Sequence, residues 1–347
     1  MDGSGEQWKN MEIATLAPPP RQTANPAPVR PLNSIRRTSS IDVFWPDGRQ
    51  GDRVFIGNVR DLLTPATGAD ATVCAAASME ARLAEDKTIK SITAQPEHPN
   101  LGKLVGERAG GHLRLFLREE MPDLLAGGEP LYLALDDLSG SALVSGFALS
   151  QWTHDADAEM RARMVRPEFD KMMKKRADVC WGLKQGSSGL DPLATNQAIA
   201  DADAKELRNP DDPEGWHEFP VNEGPGFRRA RRIDVIRDEA AGLLRIDSAF
   251  QDSAKVIEGG RVAIHEYGLS VTADPQTLEI LSIVADPRIL PFPECPGAVH
   301  NTQRLVGARI ADMRDEVLAK LRGTQGCTHL NDALRALAEV PKLVSYL

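Results

Sequence analysis

The sequence predicts an α+β protein: two related antiparallel β-modules from an internal duplication, the first with an inserted helical segment and the second closed by a C-terminal helical pair. Three observations carry this. Arg36-Arg37 followed by Ile41-Asp42-Val43 returns as Arg228-Arg229 followed by Ile233-Asp234-Val235 at the same spacing. Gly127-Gly128 and Gly259-Gly260 each precede an apolar stretch of strand character. Near the C-terminus, Leu305, Val306, Ile310, Met313, Val317 and Leu321 recur at the three- and four-residue steps of one helical face.

Residues 1–33 hold Ala17-Pro18-Pro19-Pro20 and Asn25-Pro-Ala-Pro28, too proline-rich to pack, and are expected to form a disordered leader. The first module spans 34–185. Two strands flank the turn at Trp45-Pro-Asp-Gly48, and an insertion over 65–126 carries a helical pattern in Ala75 to Glu85. Leu131 to Leu135 and Ala142 to Phe147 are expected as strands joined at Asp136 to Ser141. A helical stretch over 156–176 precedes Cys180-Trp181-Gly182. Residues 186–226, with Pro192, Pro210 and Pro213, are expected to be a linker held by Trp216-His217.

The second module spans 227–347. Its strands include Leu243 to Asp247, Val262 to His265 and Leu278 to Ile283, the last two joined by a turn at Asp274 to Thr277. Prolines 291, 293 and 296 should hold Cys295 in a stiff, extended loop. The helix through Leu321 stops at Gly323 and Gly326, and a second starts with Thr328 as N-cap, burying Leu330, Leu334 and Leu337 until Pro341.

A chain of 347 residues with 41% hydrophobic and 26% charged residues has globular proportions. Its net charge of −9 argues against a general nucleic-acid binder. Arg228 to Arg232 and Lys171 to Arg176 are expected as solvated faces, and the arginine pairs before each Ile-Asp-Val as ion pairs with carboxylates; anion recognition is the alternative. The four cysteines, Cys74, Cys180, Cys295 and Cys327, lack a framework spacing and suit a reducing, cytoplasmic setting. No secretory signal is evident, and no apolar run approaches the roughly 20 residues of a membrane span.

The chemistry concentrates at Gly326-Cys327-Thr-His329. At the start of a helix, unpaired N–H groups and the positive end of the dipole would favour a Cys327 thiolate. With His265 as base, Cys327 would act as a nucleophile in hydrolysis, acyl transfer or lysis of a small organic molecule, with His329 as a further catalytic candidate. Cys295, Cys327, His265 and His329 alternatively make a tetrahedral set for zinc or iron, with His300 able to replace one of them. The plainest alternative is a helix cap in a non-catalytic scaffold, with Cys74 and Cys180 as packing residues and His98, His112, His154 and His217 as surface or loop residues. No nucleotide-binding glycine motif and no Gly-x-Ser-x-Gly elbow occurs.

Asp286-Pro287, Cys295-Pro296, Arg304-Leu-Val-Gly307 and Gly326-Cys-Thr-His-Leu330, together with the Arg-Arg-x-x-x-Ile-Asp-Val segments and Cys180-Trp181, resemble the bacterial family catalogued as domain of unknown function 2889. The resemblance spans most of the chain from Ile35. It implies no activity, but points to His265, Cys295, Cys327 and His329. The chain departs from the family in having Glu266-Tyr267 after His265, where members tend to carry Asp-Met.

Overall fold

Alternating apolar residues along long extended segments build a single sheet. In this computed structural model, residues 26–152, 167–191 and 203–347 are described. Residues 1–25 of the expected leader over 1–33, and 156–166 of the expected helical stretch, lie outside the described residues. The first four strands form a meander: β1 (Ser34–Phe44), β2 (Arg53–Thr64), β3 (Thr72–Leu83) and β4 (Ile89–Gln95). A second meander comprises β5 (Gly226–Asp238), β6 (Leu243–Lys255), β7 (Arg261–Ala273) and β8 (Ile280–Ile289). All eight join one antiparallel sheet in the order β4-β3-β2-β1-β5-β6-β7-β8.

The seam is the pair β1 and β5, in a register that sets Arg36 opposite Asp234 and Asp42 opposite Arg228. Backbone pairing at this seam joins the strands of the two expected modules edge to edge in one sheet. One face of the sheet, with Ile35, Ile41, Val43, Phe227, Ile233 and Val235, lies in the main hydrophobic core. The helices of that core are α1 (Leu113–Glu120), α2 (Pro122–Gly127) and α3 (Pro130–Val144), and, after α4 (Pro167–Arg176), α5 (Met313–Lys320), α6 (Thr328–Arg335) and α7 (Val340–Val344).

Three expectations fail for one reason, namely that short apolar runs do not reveal their period. The inserted helical segment at 65–126 is in its first half two strands: Ala77, Met79, Ala81 and Leu83 are buried in strict alternation along β3. The first α-helix of the segment starts at Leu113, after a 3-10 turn at Leu101–Leu104. Conversely, Leu131 to Leu135 and Ala142 to Val144 are not strands but parts of α3, buried almost throughout because it lies between the sheet and the other helices. The helix drawn from Leu305 to Leu321 is divided. Residues Cys295–Leu305 form 3-10 turns, Gly307 takes a φ of 84° that ends them, and α5 starts at Met313.

The two halves repeat one local device. The Ile89 N–H donates to the Glu107 carbonyl at 2.8 Å and the Gly106 N–H donates to the Ile89 carbonyl at 2.8 Å; Ile280 exchanges the same bonds with Ala308 and Gly307 at 2.9 Å. Gly106 and Gly307 both have left-handed backbones, at φ 94° and 84°, within Leu-Val-Gly triplets. Residues 203–222, expected as linker, cover the opposite face at the seam. Trp216 and His217 are both buried there, and the His217 ring nitrogens each lie 2.9 Å from a hydroxyl, of Thr38 and of Ser40. His217 thus lies in a loop, as one of its two expected placements had it, but buried; His98 is also a buried loop residue, beside Asp123 at 3.2 Å.

Candidate metal and thiol site

Buried charge lines the interface between sheet and helices. Arg37 holds Asp61 at 2.6 Å and Glu339, before α7, at 2.5 Å. In the second half Arg229 grips both oxygens of Asp252, on β6, at 2.8 and 2.9 Å, and reaches Asp332 of α6 at 2.9 Å. Arg231 bonds Asp137 of α3, and Arg114 of α1 bonds Asp332. The arginine pairs therefore form ion pairs, as their neighbours in sequence suggested, but with partners distant along the chain. Gly140 in α3 makes room for this, since a Cβ there would fall on the Arg229 guanidinium.

Asp252 lies directly opposite His265 in the β6–β7 register. Its Oδ2 is 3.1 Å from His265 Nδ1, a contact that orients the imidazole. His329, on the first turn of α6, stacks on His265 with ring centroids 3.3 Å apart and planes 18° from parallel. Asp252, His265 and His329 each offer a donor atom within 4.8 Å of the other two. Burial pushes both imidazoles below the ordinary histidine value; for His329 the neighbouring His265 adds to it. Two stacked rings this close tolerate the neutral form far better than two charges. Neutral nitrogen is also what a metal needs.

The cysteines make a separate group behind this pair. Cys327 is the N-cap residue of α6, one position before the expected Thr328, and is buried. Its thiol is pushed up to about 11, first by burial. Burial thus works against the expected thiolate, since loss of hydration opposes the helix dipole. The buried Tyr267 hydroxyl faces this thiol, with Cys295 and Cys180 close enough to raise it further. Cys295 sits in a 3-10 turn and not in the expected extended loop, its N–H donating to the Phe292 carbonyl at 3.1 Å. Gly182 packs on its sulfur so closely that a Cβ would displace it. His300, considered as a replacement ligand, meets the edge of Trp181 instead, at 5.1 Å between centroids.

Of the four residues singled out as ligands, His265 and His329 come together, and Cys327 and Cys295 come near each other. Among the described residues, neither cysteine belongs to the three-donor group. Sequence reasoning missed Asp252. The signal was the repeat itself: Asp61 pairs with Arg37 as Asp252 pairs with Arg229. Opposite Asp61, however, stands Ala75 where the second half has His265. Native Cys327 is expected to react with iodoacetamide at pH 7.5 at least tenfold more slowly than in urea, since the thiol is both buried and protonated. Equal rates in the two conditions would contradict that.

Residues 227–342 match a protein family described as protein of unknown function (DUF2889). Neither a curated protein nor a solved structure matched the chain. Among the described residues, no helix is long and apolar enough to cross a membrane.

Proposed function

Taking residues 227–342 as a member of that family, we propose that the second half of the chain binds a divalent transition-metal ion, zinc or iron(II), through Asp252, His265 and His329. The observation that carries this reading is three donor atoms from β6, β7 and α6 within 4.8 Å of one another. Two imidazoles and one carboxylate are a donor set for these ions that leaves coordination positions for water or substrate. Arg229 holds Asp252 in place, the role that supporting hydrogen bonds play around metal ligands. Such a site would suit hydrolysis or lysis of a small organic molecule.

A Cys327 nucleophile has weaker support, because its thiol is buried, protonated and turned toward Tyr267. The non-catalytic alternative, a metal-binding or scaffold protein with a structural Cys/His cluster, also has weaker support, since among the described residues no cysteine joins the histidines. We also read the chain as a duplication, with modules at 34–185 and 227–347 joined by 186–226. The seam register and the repeated Leu-Val-Gly hydrogen bonds support it. Only the second copy would keep the histidines, so one chain would hold one ion.

Elemental analysis of protein purified without a metal-chelating tag tests the metal reading. Near-stoichiometric zinc or iron is expected in the wild type and in Cys327→Ala, with at least a tenfold loss in His265→Ala and in His329→Ala. Wild-type protein that stays metal-free after incubation with zinc or iron(II), or histidine variants that retain the metal, would overturn it.

A further inference from the structure

The two ends of the β1–β5 seam carry the same arginine–aspartate pair but differ in what surrounds it. At one end Arg36 bonds Asp234 at 2.6 and 2.9 Å, and its remaining nitrogen faces Asp212 at 3.5 Å. Arg232 shares Asp234 and also meets Asp247, while Arg30 meets Asp212. Among the described residues, the guanidiniums of Arg30, Arg36 and Arg232 are each matched by a carboxylate there, with Glu214 also beside Arg30.

At the other end Arg228 bonds Asp42 at 2.6 Å. Among the described residues, the two further cations have no ion-pair partner. Arg261 donates to Ser253, to its hydroxyl and its carbonyl at 2.9 Å each, and Lys255 donates to the carbonyls of Asn222 and Glu223. Among the described residues no carboxylate is in ion-pair contact with Arg261 or Lys255; Asp42, which Arg228 already holds, and after it Glu206 act on Arg261 only at longer range. In place of a counterpart to Asp212 there is a cavity of about 310 Å³, lined by Asp42, Phe219, Asn222, Arg228, Lys255 and Arg261.

The geometry points to this cavity as a binding site for a small oxyanion, a phosphate or carboxylate group that stands where Asp212 stands at the opposite end. Planar guanidinium groups suit such oxygens. Arg228 is held in position by its stack on Phe219, 3.8 Å from the ring centre. One oxygen of Asp42, Oδ2, is buried without a hydrogen-bond partner. An anion that also carries a donor, such as the hydroxyl of a protonated phosphate or of a hydroxy acid, would satisfy it. Burial and the nearby Arg228 push Arg261 down to about 9, which an anion beside it would reverse. The site lies on the sheet face opposite the histidines and stands independently of the metal reading.

Isothermal titration calorimetry with inorganic phosphate in a low-salt Hepes buffer tests this, using the full chain. Saturable one-site binding is expected, weakened at least tenfold in Arg261→Gln; phenyl phosphate should bind more tightly than phosphate, through contact with Phe219. Circular dichroism reports whether the variant is folded, and Lys255→Gln, at the edge of the cavity, serves if it is not. No saturable binding of either probe, or unchanged affinity in a folded variant, would sink the proposal.

Discussion

Replacing Arg229 by methionine is expected to lower the free energy of unfolding by about 3–5 kcal/mol, the usual consequence of removing one partner from a buried ion pair. Arg229 is 1% exposed and serves Asp252 and Asp332 together. Without it both carboxylates would stay buried with their charge partly uncompensated, while α6 would lose a link to the sheet. Desolvation alone would raise Asp252 and Asp332, yet both are held well below the ordinary carboxylate value, with Arg229 prominent among the causes. Urea denaturation at pH 7 measures the loss. Arg82→Met is the control, since Arg82 is 45% exposed and meets Asp47 at 3.8 Å, and should change stability by under about 0.5 kcal/mol. A loss below about 1 kcal/mol for Arg229→Met would mean that the network is screened by water, contrary to its burial.

Acid is expected to destabilise this protein well before its carboxylates titrate, and His217 is the principal reason. Burial, followed by the charges of Arg60, Arg228 and Arg208, lowers His217 to about 3 from its ordinary 6.5. The folded chain therefore refuses a proton that the unfolded chain accepts. Its contribution is fully present above pH 6.5 and is lost as the pH falls toward 3, at about 1.4 kcal/mol per pH unit. His265 and His329, also lowered, act in the same direction. Unfolding free energies measured between pH 7 and pH 4 should thus show a slope that His217→Gln reduces by about one proton. An unchanged slope would show that the His217 imidazole is charged in the folded state, shared between the hydroxyls of Thr38 and Ser40. Below pH 4 the depressed Asp252 and Asp332 add a second decline, since their contribution is present above about 3.9 and is lost as their folded values are approached.

Both predictions concern groups that the sequence made visible but whose surroundings it could not supply. Arg229 was noticed as half of a repeated pair, and an ion-pair role followed from its charge. That its partners would be Asp252 and Asp332 depends on a strand and a helix far along the chain. His217 was read as a surface or loop residue of the linker because nothing local distinguishes an imidazole in water from one closed between two hydroxyls. Cys327 illustrates the same limit. Its place at a helix start was visible within one residue, but the sign of its pKa shift turned on burial, a property of the whole fold.

By itself the sequence determined what is local or periodic: the α+β class, the position of strands in the second half though not their full length, the arginine pattern at the seam, and a histidine that begins the last helical region. Short-range sterics and side-chain period decide these, and neighbouring residues carry that information. Only the tertiary structure decided that β1 and β5 close one eight-stranded sheet, that α3 is a helix, and that His265 meets Asp252 and His329 while the thiols gather at Tyr267. These rest on pairing between distant segments and on desolvation. Neither the free energy of burying a charge nor the partner that offsets it is written in any short stretch of chain.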